Sequence, residues 1–202
     1  MRKISDLNKI LQLSSYELAR EQLSHDLLYQ KIPPERIKDY ISTALAIGAQ
    51  MADSCPSKNI YELCAREGIR IVIPPTNGQY FGVRLRAEIQ IDDKEKKILL
   101  YRQSLAEIAR VLQEWLPPEK RLDAETVKQM HLAHEFFHYL EYRDNFRVNE
   151  MLPPVVTFNF LGLRRTATVL TLSEIAAHSF SKRLLDLPYY PYLYDKIYAL
   201  SL

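Results

Sequence analysis

The stretch KQMHLAHEFFHYLEYR, residues 128–143, contains the pattern H-E-x-x-H, formed by His134, Glu135 and His138. The residues around the pattern are largely apolar and include no Pro or Gly, which predicts a helix. Residues four apart share one face of a helix, so both imidazoles can point at one metal ion. Glu135 projects beside that face, where it can take a proton from a water that the metal activates.

The same pattern also arises by chance in long helices, where His and Glu simply lie on a solvated face. That interpretation fits poorly here, because Phe136, Phe137 and Leu140 are bulky apolar neighbours that predict a buried helix. Two histidines and a glutamate would be costly to bury without partners. A metal ion and its water would satisfy them, so the sequence predicts a metal site on this helix.

Composition and charge exclude several classes of protein. The 202 residues are 47% hydrophobic and 26% charged, as in ordinary globular proteins, and the net charge is +2. A net charge this small does not indicate a protein that binds nucleic acids or membrane surfaces. The N-terminus lacks the apolar core of a signal peptide, and no window approaches a membrane-spanning run. Cys55 and Cys64 form no C-x-x-C, so we expect reduced thiols in a cytoplasmic protein.

Hydrophobic periodicity predicts an α+β fold, with helices packed around a small mixed or antiparallel sheet. Ser104 and Asp123 are the expected N-caps of two of the helices. The predicted helices cover residues 5–31, 34–52, 59–67, 104–115 and 174–187, together with the long helix that Asp123 begins; the predicted strands cover 69–73, 79–86, 88–92 and 97–101.

A catalytic zinc site has three protein ligands and one open position, and the sequence has no Gly-x-x-His after His138 to supply the third. Glu174 is our first choice, because small residues follow it in a predicted helix and would allow that helix to approach another closely. His178 lies four residues further on, on the same helical face. Spacing alone leaves His178 and Glu150 open as alternatives.

Other polar residues lie near the same helical face. His131 precedes His134 by three residues and is expected on the helix surface rather than beside the ligands. Glu141, Tyr142 and Arg143 are candidates for orienting ligands or substrate, and nothing in the sequence selects among them.

Several segments occur in an order that is informative as a set. They are IYELCAREGI at 60–69, ILLY at 98–101, LAHEFFH at 132–138, EIAAHSF at 174–180 and LLDLP at 184–188. Together they resemble the ImmA/IrrE family of bacterial and phage metallo-endopeptidases, over roughly residues 41–188. The H-E-x-x-H alone is moderately specific, and the ordered set is much more so.

The resemblance implies a gluzincin-like zinc peptidase core, with His134, His138 and Glu174 as zinc ligands and Glu135 as general base. It implies a protein substrate, typically a transcriptional repressor whose cleavage switches on a stress response or a mobile element. On this view residues 1–40 form an N-terminal helical extension and 41–202 the metallopeptidase domain. Neither a direct nucleic-acid partner nor a membrane is expected.

This chain departs from the family pattern in three places. Phe136 replaces a common Gly, His178 replaces the Asn of E-x-x-A-N, and the segment 139–173 is long. We expect His178 to replace the Asn contact or to act in catalysis by donating to the transition state, a role for which Tyr142 and Arg143 are alternatives. The long segment is expected to form part of a substrate groove.

A second hypothesis comes from another class of protein. The site would bind metal without useful catalysis, and the chain would act as a regulatory or interaction module, in which the Tyr- and Pro-rich tail of residues 187–200 contacts a partner. The simpler expectation for those tyrosines is that they pack against the body of the domain.

Overall fold

A computed structural model describes residues 7–80 and 83–202, and the fold is α+β, as predicted. The helices are α1 Ser15–Ser24, α2 Pro34–Ser54, α3 Ile60–Arg66, α4 Arg102–Trp115, α5 Ala124–Arg143, α6 Val148–Met151, α7 Thr171–Leu184 and α8 Tyr192–Ser201. The strands are β1 Ile69–Val72, β2 Gln79–Tyr80, β3 Val83–Arg84, β4 Ala87–Ile91, β5 Lys96–Leu100, β6 Val155–Phe160 and β7 Leu163–Ala167. Among the described helices, none combines the length and apolarity needed to cross a membrane.

The largest sheet is mixed, which is one of the two forms that the sequence predicts. Its strand order is β1-β5-β4, with β1 parallel and β4 antiparallel to the central β5. Ile98 of β5 is fully buried beneath the helices. Strand β4 lies at the edge of this sheet and packs on α5, the helix that contains the H-E-x-x-H. The sheet therefore places an edge strand beside the expected metal site.

Helix α5 is capped and buried as its sequence indicates. The Asp123 carboxylate accepts a hydrogen bond from the Thr126 amide at 2.6 Å and so begins the helix. Phe136 and Phe137 are buried, and their rings lie 6.3 and 5.5 Å from the ring of Phe180 on α7. These aromatic contacts join the two helices that carry the expected ligands.

Helix α7 packs between α2 and α5. Its small residues Ala176 and Ala177 are fully buried, as the expectation of close helix packing requires. A Cβ atom added to Gly48 of α2 would lie only 2.1 Å from the Ala176 carbonyl oxygen. The two backbones are thus nearly in contact, and only glycine fits at position 48.

Two predicted helices have the wrong boundaries, for local reasons. Ser104 is not an N-cap: α4 begins at Arg102, directly after β5, and this places Ser104 in its first turn, where it is buried. Helix α7 begins at Thr171 and ends at Leu184, three residues earlier than predicted at each end. The positive φ of 50° at Asp186 ends the helical path before Pro188 is reached.

Two other segments differ in form from the prediction. The predicted strand 79–86 is a pair of two-residue antiparallel strands, β2 and β3, in which Gln79 pairs with Arg84. The predicted helix 5–31 starts outside the described residues, and within them it is interrupted: Ser14 caps a separate α1, and a single 3₁₀ turn follows at Tyr29–Lys31. Residues 81 and 82, which the predicted strand includes, lie outside the described residues. In the N-terminal segment the hydrophobic spacing continues across the break at residues 11–14, which it does not reveal.

The C-terminal tail packs against the body of the domain, as the simpler expectation states. Tyr190 and Tyr194 are buried, and the Tyr190 hydroxyl donates to the Ile175 carbonyl of α7 at 3.2 Å. The last part of the tail is a helix, α8, which the sequence analysis did not predict. The tail is therefore part of the core.

Replacing Gly48 with alanine tests the close approach of α2 and α7. Alanine favours a helix interior by about 1 kcal/mol over glycine. Here we expect a net loss of about 1–3 kcal/mol in the free energy of unfolding, since the added methyl would overlap the Ala176 carbonyl. Urea denaturation measures it. Ser42→Ala, at an exposed position of the same helix, is the control and should be nearly neutral. A Gly48→Ala protein as stable as the wild type would contradict the packing argument.

Candidate metal centre

Three side chains converge on one point between α5 and α7. The His134 Nε2 atom lies 3.1 Å from Glu174 Oε2 and 3.2 Å from His138 Nε2. His138 Nε2 lies 3.4 Å from the other oxygen of Glu174, Oε1. Among the described residues these three side chains form a group that could bind a metal ion. The structure thus brings together the three residues that the sequence analysis names as ligands.

Local structure explains the convergence. His134 and His138 lie one turn apart on α5, and Glu174 lies in the first turn of α7. Glu150, one of the alternatives for the third ligand, is not part of the group. It is exposed on α6, and its carboxylate lies 3.9 Å from the Arg147 guanidinium.

The donor atoms fit a small divalent cation. Zinc binds imidazole nitrogen and carboxylate oxygen at about 2.0–2.2 Å in tetrahedral geometry, which places ligand atoms about 3.3 Å from one another. Here the two imidazole nitrogens lie 3.2 Å apart, and Glu174 places Oε2 at 3.1 Å from His134 and Oε1 at 3.4 Å from His138. With one donor atom from each residue, the three atoms lie within 4.8 Å of one another. The Glu174 side chain is 49% exposed, so the site is open to solvent on that side. Two imidazoles and one carboxylate leave a tetrahedral ion one position for a water or a substrate.

The electrostatics of the site favour a cation. Burial opposes the charge on Glu174, but hydrogen bonds with His134 and His138 outweigh it and lower the pKa of this carboxyl well below 4.5. Burial also opposes protonation of His138. Hydrogen bonds with Glu141 and Glu174 outweigh that effect and raise the pKa of His138 to about 10. Without a metal, a proton on His138 balances the two carboxylates, and a bound cation would take over that role.

The edge strand β4 positions Glu135. Its Oε2 atom accepts a hydrogen bond from the backbone amide of Ile89 at 2.9 Å. This amide points toward α5, since it donates to a side chain of that helix. The contact holds one carboxylate oxygen in place, and the other, Oε1, is the atom that would accept a proton.

His178 lies beside the site, outside the group of three. Its ring centroid is 4.8 Å from that of His134, and its Nδ1 atom is 3.2 Å from Gln22 Oε1, which also accepts from the Tyr190 hydroxyl at 3.1 Å. Burial, and next the charge of His134, lower the pKa of His178 to about 3, so the ring is neutral near pH 7. A neutral ring that donates from Nδ1 to Gln22 has no hydrogen on Nε2. This arrangement weighs against His178 as a hydrogen-bond donor to a transition state.

The other two candidates for that donor role differ in their surroundings. The Arg143 guanidinium donates to Glu67 and to Asp144, each at 2.6 Å. The Tyr142 side chain is 64% exposed. Among the described residues, no contact places either side chain against His134, His138 or Glu174. A donor role for Tyr142 or Arg143 therefore stays a prediction.

Three further polar residues lie around the ligands, and the sequence analysis treats each of them differently. It missed the first. Gln22 comes from the distant helix α1, and no sequence pattern connects it to the site. Glu141 lies three residues after His138 on the same helix. It is one of the three candidates for orienting ligands or substrate, and its contact with His138 at 2.9 Å singles it out from Tyr142 and Arg143. His131, expected on the helix surface, has a buried Nε2 atom without a hydrogen-bond partner among the described residues. Burial, and next the charge of Arg86, lower the pKa of His131 well below 6.5.

We expect the metal-free protein to lose stability as the pH rises from about 6.5 to about 10. The folded-state pKa of His138 is about 10, above its ordinary 6.5. Its stabilising contribution is therefore complete below pH 6.5 and is lost as the pH rises through the folded-state value. Thermal unfolding in the presence of a chelator measures this loss. His138→Gln should flatten it, whereas His25→Gln, at an exposed histidine, should not. An equally steep loss in His138→Gln would rule out this origin.

The comparisons with known proteins identify no relative. No model of a known protein family matches the chain, and neither the curated proteins nor the solved structures contain a match. The functional argument below therefore depends on the geometry of His134, His138, Glu174 and Glu135, together with the motifs in the sequence.

Proposed function

We propose that this protein is a zinc-dependent endopeptidase of the kind that its resemblance to the ImmA/IrrE family implies. The observation that carries the proposal is the convergence of the donor atoms of His134, His138 and Glu174, with Glu135 beside them on the same helix. The gluzincin-like assignment, the zinc ion and the peptidase activity are all parts of this proposal. The substrate we propose is a repressor-like protein.

Each residue of the site has a chemical role in this proposal. His134, His138 and Glu174 would hold the zinc ion, which would polarise the scissile carbonyl and acidify a water when bound. Glu135 would accept a proton from the attacking water and pass it to the leaving amine. The amide of Ile89 fixes one oxygen of Glu135, so the carboxylate is oriented before the substrate arrives.

The long segment between the two ligand helices lines a cavity. A cavity of about 860 Å³ lies at the N-terminal end of α7, between the end of α1 and the base of the β6–β7 hairpin. Its lining includes Asp26, Pro154 and Thr171, and Thr171 lies one turn before Glu174. The cavity supports the expectation that the long segment 139–173 forms part of a groove.

The alternative function is a metal-binding interaction module without catalysis. Its proposed contact surface was the Tyr-rich tail, but Tyr190 and Tyr194 are buried in the core. The half-exposed Glu174 gives a substrate access to the metal position, which favours the peptidase.

Metal content is the first test. We expect close to one zinc ion per chain in purified protein by elemental analysis, and a loss of that zinc in Glu174→Ala. Glu150→Ala is the matched control, because this exposed glutamate lies outside the donor group and should leave the zinc bound. Wild-type protein that takes up no zinc, even when zinc is supplied, would overturn the proposal. Zinc loss only in His178→Ala would mean that His178 is the third ligand.

Glu135→Gln separates metal binding from catalysis. The amide oxygen of the glutamine can still accept from the Ile89 amide, so we expect the zinc content to be unchanged. Without a base, cleavage should fall by about 10²–10⁴-fold. Mass spectrometry of a peptide library incubated with each protein measures the rate. Undiminished cleavage in this variant would exclude Glu135 as the general base.

A further inference from the structure

We propose that Glu141 is a positioning residue for the metal centre, which fixes the ring of His138 and connects it to the helix turn that carries Glu174. The inference rests on the metal site of the proposed function. Glu141 is neither one of the three proposed ligands nor the proposed general base.

Glu141 is a carboxylate buried where three helices meet. The residue is only 7% exposed. Its Oε2 atom lies 2.9 Å from His138 Nδ1 and also accepts from the Ser173 hydroxyl. Its Oε1 atom accepts from the Val148 amide at 2.9 Å. The partners of this one side chain therefore come from α5, from α6 and from the first turns of α7.

The first consequence concerns the tautomer of His138. An ionised carboxylate only accepts hydrogen bonds, so Nδ1 of His138 must carry the hydrogen that lies between them. A neutral His138 then has its lone pair on Nε2. Nε2 is the atom that faces His134 and Glu174 at 3.2 and 3.4 Å. Glu141 thus selects the one tautomer of His138 that can bind a metal at this site.

The second consequence concerns the position of Glu174. Ser173 directly precedes Glu174 in the chain, and its hydroxyl donates to Glu141. The same oxygen of Glu141 that fixes the His138 ring therefore also holds the first turn of α7. One carboxylate oxygen of Glu141 therefore positions two candidate ligands, His138 and Glu174, that lie 36 residues apart in sequence.

A simpler role for Glu141 must be separated from this one. Its bond to the Val148 amide also begins α6, and a carboxylate that only capped α6 would stabilise the fold without acting on the metal. A measurement of stability cannot distinguish the capping of α6 from the positioning of His138. The affinity for zinc and the presence of a hydrogen on His138 Nδ1 do distinguish them.

The test is Glu141→Gln, which preserves the size of the side chain. An amide can face His138 with either its oxygen or its NH₂ group, so the variant no longer enforces the tautomer. We expect the affinity for zinc to fall by about 10–100-fold, measured by competition with a chelator. We also expect a slowly exchanging Nδ1–H resonance of His138 in the wild type that is lost in the variant, measured by nuclear magnetic resonance.

Glu67→Gln is the matched control. Glu67 also accepts from side chains of α5, at 2.7 Å from the Tyr139 hydroxyl and 2.6 Å from Arg143, but it contacts none of the three ligands. Its variant should bind zinc as the wild type does, and it should keep the His138 resonance. Ser173→Ala removes only the connection to α7, so we expect a smaller loss of zinc affinity than in Glu141→Gln.

The outcomes separate this inference from the proposed function. Glu141→Gln with wild-type zinc affinity and an unchanged His138 resonance would overturn the positioning role, whatever its effect on stability. If wild-type protein binds no zinc, the proposed metal site fails. The Nδ1–H resonance, recorded on metal-free protein, then still decides whether Glu141 fixes the ring of His138.

Discussion

The site depends on the close packing of α7 against its neighbours. Glu174 meets His134 although 40 residues separate them in sequence, so the contact exists only because α7 lies where it does. The near contact of Gly48 with the Ala176 carbonyl sets the distance from α2. The aromatic pair Phe137 and Phe180 sets the contact with α5. The ligand geometry is thus a product of apolar packing several residues away from the ligands.

A second constraint is the balance of charge. Glu174 and the buried Glu141 both have pKa values below the ordinary range, so both are ionised near neutral pH. Two carboxylates this close to two imidazoles require positive charge between them. A proton on His138 can supply it, as the raised pKa of that ring shows. A divalent cation supplies more positive charge than one proton, and it requires that Nε2 of His138 carry no hydrogen. Protons and metal ions are therefore expected to compete for one position.

The sequence predicted those parts of the fold that local patterns determine. The helix of His134 and His138 followed from apolar residues and the Asp123 cap, and a small sheet, mixed or antiparallel, followed from short β-prone segments. Glu174 was harder, because spacing left His178 and Glu150 open and only the resemblance favoured it. The structure supports that choice through the position of α7, which is a tertiary property.

What the sequence could not supply depends on contacts between distant segments. Ser104 has the chemistry of an N-cap, yet β5 leads directly into α4 and buries it. Gln22 has no pattern that connects it with His178, since α1 and α7 meet only in the folded chain. The tail around Tyr194 offered aromatic residues without a clear helical period, and packing against the core determines its helix.

His178 lies where the pattern that the sequence resembles has an Asn, and the same contacts describe how a histidine fits there. An asparagine can donate from its amide, and a histidine can do so from Nδ1. Here Nδ1 faces Gln22, whose oxygen also accepts from Tyr190. Burial lowers the pKa of His178 to about 3, so the ring adds no positive charge that would compete with a metal ion beside His134. A histidine at this position is therefore compatible with a metal ion at the candidate site, because its surroundings keep it neutral and its one N–H donates to Gln22 rather than toward the site.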